Sequence, residues 1–127
     1  MFAPSRVILV VEADEDLQRL FAALVADEGY EAQIVTSVPA AAQALRVSQP
    51  ALVLLDMDSV GNQGGEFIKD ARARFGKSLP IVIVGPRYEA AAMAEAVQAD
   101  ASLAKPFDIG SFSYLIHALT KDGSEKP

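Results

Sequence analysis

The stretch Leu52-Val53-Leu54-Leu55-Asp56 places four apolar residues in an unbroken run that ends at an aspartate. Such a run does not alternate with polar residues, which is typical of a β-strand buried on both faces. Residues 7–11 and 81–84 have the same character, and weaker strands are predicted at residues 31–35 and 101–104. The chain is therefore expected to contain five short strands.

Helical patterns separate these strands. The first contains apolar residues at three-and-four spacing and ends before Gly29. The others are predicted at residues 39–47 (with Ser37 as N-cap), 66–75, 88–98 and 109–120. Strands that alternate with helices predict an α/β fold, and right-handed crossovers restrict it to a doubly wound, flavodoxin-like parallel sheet of five strands in the order 2-1-3-4-5.

Length and composition indicate one domain spanning residues 1–127, with a core at about 6–120 and a polar tail at 121–127 that could also begin a linker. The absence of cysteine excludes disulfides, thiolate metal sites and cysteine nucleophiles. Eleven basic against 17 acidic residues give a net charge of −6, which disfavours binding to nucleic acid. No apolar run reaches the roughly 18 residues of a membrane span, so we expect a soluble, cytoplasmic protein.

Charged residues follow three of the predicted strands. Glu12 follows the first strand, Asp56 and Asp58 follow the third, and Lys105 follows the fifth. Because the carboxyl ends of parallel strands meet at one edge of a sheet, these groups are expected to converge. Clustered carboxylates attract Mg²⁺, and a lysine beside them adds a positive charge, which suits the conversion of a carboxylate into an aspartyl phosphate. Acidic residues 14–16 are instead interpreted as helix-capping groups.

These motifs resemble the receiver domain of two-component response regulators over residues 7–119. Residues 8–12 resemble the first strand and first acid of that family, and Leu54-Leu55-Asp56 resembles its phosphorylation strand. Gly64 lies eight residues after Asp56, where the family has a glycine, and Lys105-Pro106-Phe107 resembles the family's Lys-Pro-Phe signature.

The resemblance implies a role for several residues. Asp56 would accept a phosphoryl group from a histidine kinase or phosphotransfer protein, and Lys105 would contact that group. Glu12, Asp56 and the backbone carbonyl of Asp58 would lie at a Mg²⁺ site. The Lys105–Pro106 peptide bond would be cis. A downstream protein would bind the face formed by the fourth helix, fifth strand and fifth helix.

The chain departs from the family at five positions. Ala13 stands where a second acid would ligate the metal directly, so Mg²⁺ binding is expected to be weak. At the switch positions, Gly85 replaces a serine or threonine and Ser102 replaces an aromatic residue. Val60 and Pro86 also stand where the family has proline and alanine.

Three functional readings follow from this pattern. The first is a signalling domain, not an enzyme, that is phosphorylated on Asp56 but switches atypically. The second is a pseudo-receiver that binds partners whether or not Asp56 is modified. The third, a haloacid-dehalogenase-like phosphatase suggested by Asp56-Met57-Asp58-Ser59-Val60, is disfavoured because that motif belongs on a first strand. His117 is interpreted as a surface residue, and whether Phe112 or Tyr114 faces a partner is left open.

Overall fold

The computed structural model describes residues 5–120, in which strands and helices alternate. The strands are β1 (Val7–Val11), β2 (Glu31–Val35), β3 (Leu52–Asp56), β4 (Ile81–Pro86) and β5 (Ala101–Lys105). The helices are α1 (Glu15–Asp27), α2 (Val38–Val47), α3 (Met57–Val60), α4 (Gln63–Phe75), α5 (Ala90–Val97) and α6 (Ile109–Leu119), with a 3-10 turn at Gly76–Ser78. No helix within this range is long and apolar enough to cross a membrane.

The five strands form one parallel sheet in the order β2-β1-β3-β4-β5, which confirms the predicted topology. Every residue of the central strand β3 is buried. The register pairs Asp56 with Val84 of β4 and Pro86 of β4 with Lys105 of β5. Asp56 and Lys105 therefore reach the same carboxyl-terminal edge of the sheet.

Apolar side chains fill a layer on each face of this sheet. One layer lies under α2, α4 and α5, and the other under α1 and α6. In the second layer, the ring of Phe112 packs 6.2 Å from that of Phe21 and is 1% exposed. Tyr114, two residues later, is 72% exposed, so Phe112 is a core residue and Tyr114 a surface one.

Local signals set most helix ends as expected. The Asp14 carboxylate accepts a hydrogen bond from the Leu17 amide and caps α1, and Ser37 caps α2 by accepting from the Ala40 amide. Gly29 follows α1 with a positive φ of 85°, a conformation that glycine adopts without strain.

Two helices begin two or three residues away from their predicted starts, and one helix was missed. The helix predicted at residues 66–75 begins earlier, at Gln63, and the helix predicted at residues 88–98 begins two residues later, at Ala90. The missed helix, α3, has only four residues, which is too short for a helical period to show in the sequence.

Two adjacent glycines of α4 have different surroundings. A Cβ on Gly64 would lie 2.9 Å from Met57 Sδ and 3.0 Å from Val60 Cγ2, whereas one on Gly65 would meet only Val97 Cγ1, at 3.5 Å. We expect Gly64→Ala to lower the free energy of unfolding by about 1–2 kcal/mol because the overpacking exceeds the gain in helix propensity.

The matched control is Gly65→Ala, which is expected to leave stability unchanged or raise it by about 0.5–1 kcal/mol. Urea unfolding followed by circular dichroism measures both changes. Equal effects of the two substitutions would show that α3 does not pack against Gly64 as described.

Candidate functional site

Asp56 is the central group of the site. It ends β3 and is 2% exposed. Its Oδ1 accepts a hydrogen bond from the Asp58 amide at 3.0 Å, because the chain turns directly into α3 with Asp56 as the N-cap. A buried carboxylate needs compensating charge and hydrogen bonds, and its neighbours provide both.

Lys105 is the positive partner of Asp56. Its Nζ lies 3.1 Å from Asp56 Oδ1 and 3.0 Å from Oδ2, so it contacts both carboxylate oxygens. Burial disfavours the charged ammonium, but hydrogen bonds to Asp56 and Asp58 outweigh burial and raise the pKa of Lys105. Lys105 is therefore a fixed positive charge at neutral pH. The peptide bond that follows it, to Pro106, is cis, as the resemblance implied.

Asp58 has a side-chain contact that sequence reasoning did not give it. Its Oδ2 lies 3.1 Å from Lys105 Nζ, and its side chain is 54% exposed. This exposed carboxylate shares the ammonium with buried Asp56. A group that adds negative charge to Asp56 must therefore compete with Asp58 for Lys105.

Glu12 is the second buried acid of the site, with 1% of its surface exposed. Its Oε2 accepts hydrogen bonds from the Asp14 amide at 3.2 Å and the Ser59 hydroxyl at 3.0 Å. Within residues 5–120, its buried Oε1 has no hydrogen-bond partner. Burial, and then the nearby Asp56 carboxylate, raise the pKa of Glu12 from 4.5 to about 7, although the Asp14 amide and Ser59 hydroxyl oppose the change.

Ser59 is the residue of this site that the sequence analysis missed. Its hydroxyl lies 3.0 Å from Glu12 Oε2 and 3.3 Å from Asp56 Oδ2, and it accepts a hydrogen bond from the Ala13 amide at 3.0 Å. The available signal was its spacing, since three residues correspond to nearly one helical turn, which brings Ser59 back beside Asp56.

The side chains of the site offer the oxygen ligands that a hard cation prefers, but they include fewer carboxylates than the resemblance implies. Glu12 and Asp56 supply carboxylate oxygens, Ser59 supplies a hydroxyl, and the partnerless Glu12 Oε1 is suited to a cation or a proton. Ala13 contributes no side-chain oxygen. Across the part of the chain that the structure describes, no three His, Cys, Asp or Glu side chains are grouped to hold a metal ion. The predicted site of Glu12, Asp56 and Asp58 therefore depends on the Asp58 backbone carbonyl.

The first predicted switch position, Gly85, lies in β4, one residue after Val84, which pairs with Asp56. A Cβ placed there would lie 3.3 Å from Met93 Sδ and 3.5 Å from Ala90 of α5. Helix α5 therefore packs closely against Gly85, and a side chain at this position would require Met93 to shift slightly.

The second predicted switch position, Ser102, lies in β5, where it pairs with Ile83. Ser102 and Tyr114 line an open groove of about 670 Å³ beside β5 and α6. An open groove therefore lies beside residue 102, where the resemblance would place an aromatic ring.

His117 lies outside the site. Its side chain is 56% exposed, and Nε2 lies 2.8 Å from Glu28 Oε1, which links α6 to the end of α1. This confirms its interpretation as a surface residue.

Comparisons with known proteins agree with this geometry. Residues 8–117 match the family model described as the response regulator receiver domain. The sensory transduction protein RegX3 of Mycobacterium tuberculosis strain H37Rv is 31% identical over 120 residues, which cover 93% of this chain and 52% of RegX3. The chain thus spans about half the length of the curated relatives it matches.

Solved structures show the same fold. A protein described as a response regulator from Chloroflexus aurantiacus superposes with a TM-score of 0.82 at 23% identity, covering 91% of this chain and 97% of that one. The receiver domain of the sensor histidine kinase PA1611 from Pseudomonas aeruginosa has a TM-score of 0.78 at 20% identity, covering the same shares, and holds a magnesium ion in its active-site cleft.

Proposed function

The chain belongs to the family of response regulator receiver domains, and from that premise we propose that Asp56 accepts a phosphoryl group from a histidine kinase or phosphotransfer protein. The observation that carries the proposal is the pairing of buried Asp56 with Lys105, 3.0 Å apart at the carboxyl edge of the sheet. Asp56 also ends the central strand of the sheet, and the resemblance assigns the phosphorylation position to this residue.

The phosphoryl transfer uses few protein groups. An Asp56 carboxylate oxygen attacks the phosphorus of a phosphohistidine, the P–N bond breaks, and its electron pair returns to the donor nitrogen. The Lys105 ammonium, already within 3.1 Å of both Asp56 oxygens, remains beside the new phosphoryl oxygens and stabilises their charge. This requires no acid–base chemistry from other side chains.

Glu12, Asp56 and the Asp58 backbone carbonyl are the groups that would hold Mg²⁺. When bound, the ion supplies positive charge that screens the carboxylate from the incoming phosphoryl group. Ala13 removes a carboxylate that the family uses, and even outer-shell losses typically lower metal affinity by about 10–100-fold. We therefore expect weak Mg²⁺ binding, which Ala13→Asp strengthens.

The test is covalent labelling with phosphoramidate at saturating Mg²⁺, followed by intact-mass and peptide analysis. Wild type is expected to gain one phosphoryl group that hydroxylamine removes, as an acyl phosphate requires, and Asp56→Asn is expected to gain none. Asp70→Asn, a surface change on α4, is the control and should label like wild type. Labelling that survives Asp56→Asn, or no labelling of wild type, would refute the proposal.

The partners follow from this role. We propose a cytoplasmic signalling domain, without enzymatic activity of its own or contact with nucleic acid, whose downstream protein binds the face formed by α5, β5 and α6. Exposed Tyr114 and the groove beside Ser102 lie on this face.

A second candidate is a scaffold that binds its partner regardless of the state of Asp56. The surroundings of Gly85 favour it, because this position has no side chain and even a Cβ there would lie 3.3 Å from Met93 Sδ of α5. A ligand shifts a conformational equilibrium only through contacts that differ between the two states. With no hydroxyl at Gly85 and no ring at Ser102, phosphorylation has fewer such contacts.

A further inference from the structure

Ser59 joins the two acidic loops of the site. It lies in α3, yet its hydroxyl accepts a hydrogen bond from the backbone amide of Ala13, 46 residues away. The same oxygen donates to Glu12 Oε2 at 3.0 Å and lies 3.3 Å from Asp56 Oδ2. One side chain therefore fixes the spacing of the loop after β1, the loop after β3 and both buried carboxylates.

This hydroxyl lies beside a residue that offers no side-chain oxygen to the site. Ala13, whose amide Ser59 binds, offers no side-chain oxygen, and Glu12 Oε1 is buried without a hydrogen-bond partner in the described range. A serine hydroxyl has two lone pairs, and the Ala13 amide takes only one. The other can face a cation, and Mg²⁺ takes oxygen ligands while keeping several of its waters.

We propose that Ser59 is a positioning residue for a divalent cation and performs part of the role of the carboxylate that Ala13 lacks. It holds the carboxylates of Glu12 and Asp56 together and presents its hydroxyl oxygen to the cation's coordination shell. Because a hydroxyl carries no charge, it does so without adding a third negative charge to the buried pair. This inference rests on the proposed function, since that function gives the cation its use.

The test is a double-mutant cycle of Mg²⁺ affinity, measured by isothermal titration calorimetry on wild type, Ser59→Ala, Ala13→Asp and the double variant. Ser59→Ala is expected to lower affinity about tenfold in the wild-type background, within the range for outer-shell groups. In the Ala13→Asp background the same substitution is expected to lower it by less than about threefold, because two groups that share one role are not additive.

Two further variants control the measurement. Ser59→Thr keeps the hydroxyl and is expected to bind Mg²⁺ within about threefold of wild type. Asp14→Asn removes a nearby charge but keeps an oxygen for capping α1, and it too should stay within about threefold. Circular dichroism and urea unfolding confirm that each variant is folded.

Each remaining outcome overturns the inference. Unchanged affinity in folded Ser59→Ala, an equal loss in both backgrounds, or no Mg²⁺ binding by wild type would each show that Ser59 does not replace the missing carboxylate. Phosphoramidate labelling separates this failure from that of the proposed function. If Asp56 is labelled but the Mg²⁺ affinity does not depend on Ser59, only the inference about Ser59 is refuted. If Asp56 is not labelled at saturating Mg²⁺, the proposed function is refuted.

Discussion

Lys105→Met is expected to lower the free energy of unfolding of the metal-free protein by about 2–4 kcal/mol at neutral pH. Asp56 is 2% exposed, and Lys105 is the cation that contacts both of its carboxylate oxygens. Removing one partner of a buried ion pair typically costs about 3–5 kcal/mol because the other charge is left uncompensated. We expect slightly less here, because Lys105 is 25% exposed and Asp56 keeps its bond from the Asp58 amide.

A double-mutant cycle isolates this effect. In the Asp56→Asn background the buried charge is gone, so Lys105→Met is expected to cost less than about 1 kcal/mol. Urea unfolding in the presence of a chelator measures all four proteins. If Lys105→Met destabilised both backgrounds equally, the loss would reflect packing of the lysine stem, and the charge pairing described for the site would be wrong.

The second large effect is a pH dependence caused by Glu12. Burial, and then the neighbouring Asp56 carboxylate, raise the pKa of Glu12 to about 7 in the folded protein. The other charged groups near this pair are Lys105, which contacts Asp56, and Asp58, which contacts Lys105. The folded state therefore holds a proton that the unfolded state releases above 4.5. Its contribution to stability is complete below about pH 4.5 and is lost as pH rises through 7. By linkage the difference between 4.5 and about 7 amounts to about 3 kcal/mol.

Glu12→Gln removes this titration while keeping the shape of the side chain. Without metal, we expect the variant to match wild type near pH 4 and to be more stable than wild type at pH 8 by about 3 kcal/mol. The difference between the two pH–stability curves, from urea unfolding in chelator, cancels the other titrating groups. Parallel curves between pH 5 and 8 would mean that Glu12 is ionised throughout.

The fold followed from the sequence because its signals are local. Unbroken apolar runs such as residues 81–84 predict strands buried on both faces, and their alternation with helices leaves few topologies. Helix ends were less accurate where a side chain was ambiguous. The fourth helix was predicted to begin at Tyr88, yet this residue is 90% exposed and lies before α5 begins.

The site followed from the sequence only in part. The positions of Glu12, Asp56 and Lys105 depend on strand ends, which parallel pairing brings together. The position of Ser59 depends on α3, whose single turn has no sequence period. Its bond to the Ala13 amide joins segments 46 residues apart. Likewise, the sequence shows that Gly85 lacks a hydroxyl, but only the structure shows that a Cβ there would lie 3.3 Å from Met93 Sδ.

We propose that Asp56 accepts a phosphoryl group but that its phosphorylation changes the face formed by α5, β5 and α6 only weakly. Amide chemical shifts measured with and without beryllofluoride and Mg²⁺ test it most directly, with Asp56→Asn as the control. We predict Asp56-dependent changes around Glu12, Asp56 and Lys105, and little change along Ala90–Val97 and Ile109–Leu119. Changes along those two helices as large as those at the site, and absent in Asp56→Asn, would show that a conventional switch operates and would contradict the account. So would the absence of any Asp56-dependent change at saturating reagent.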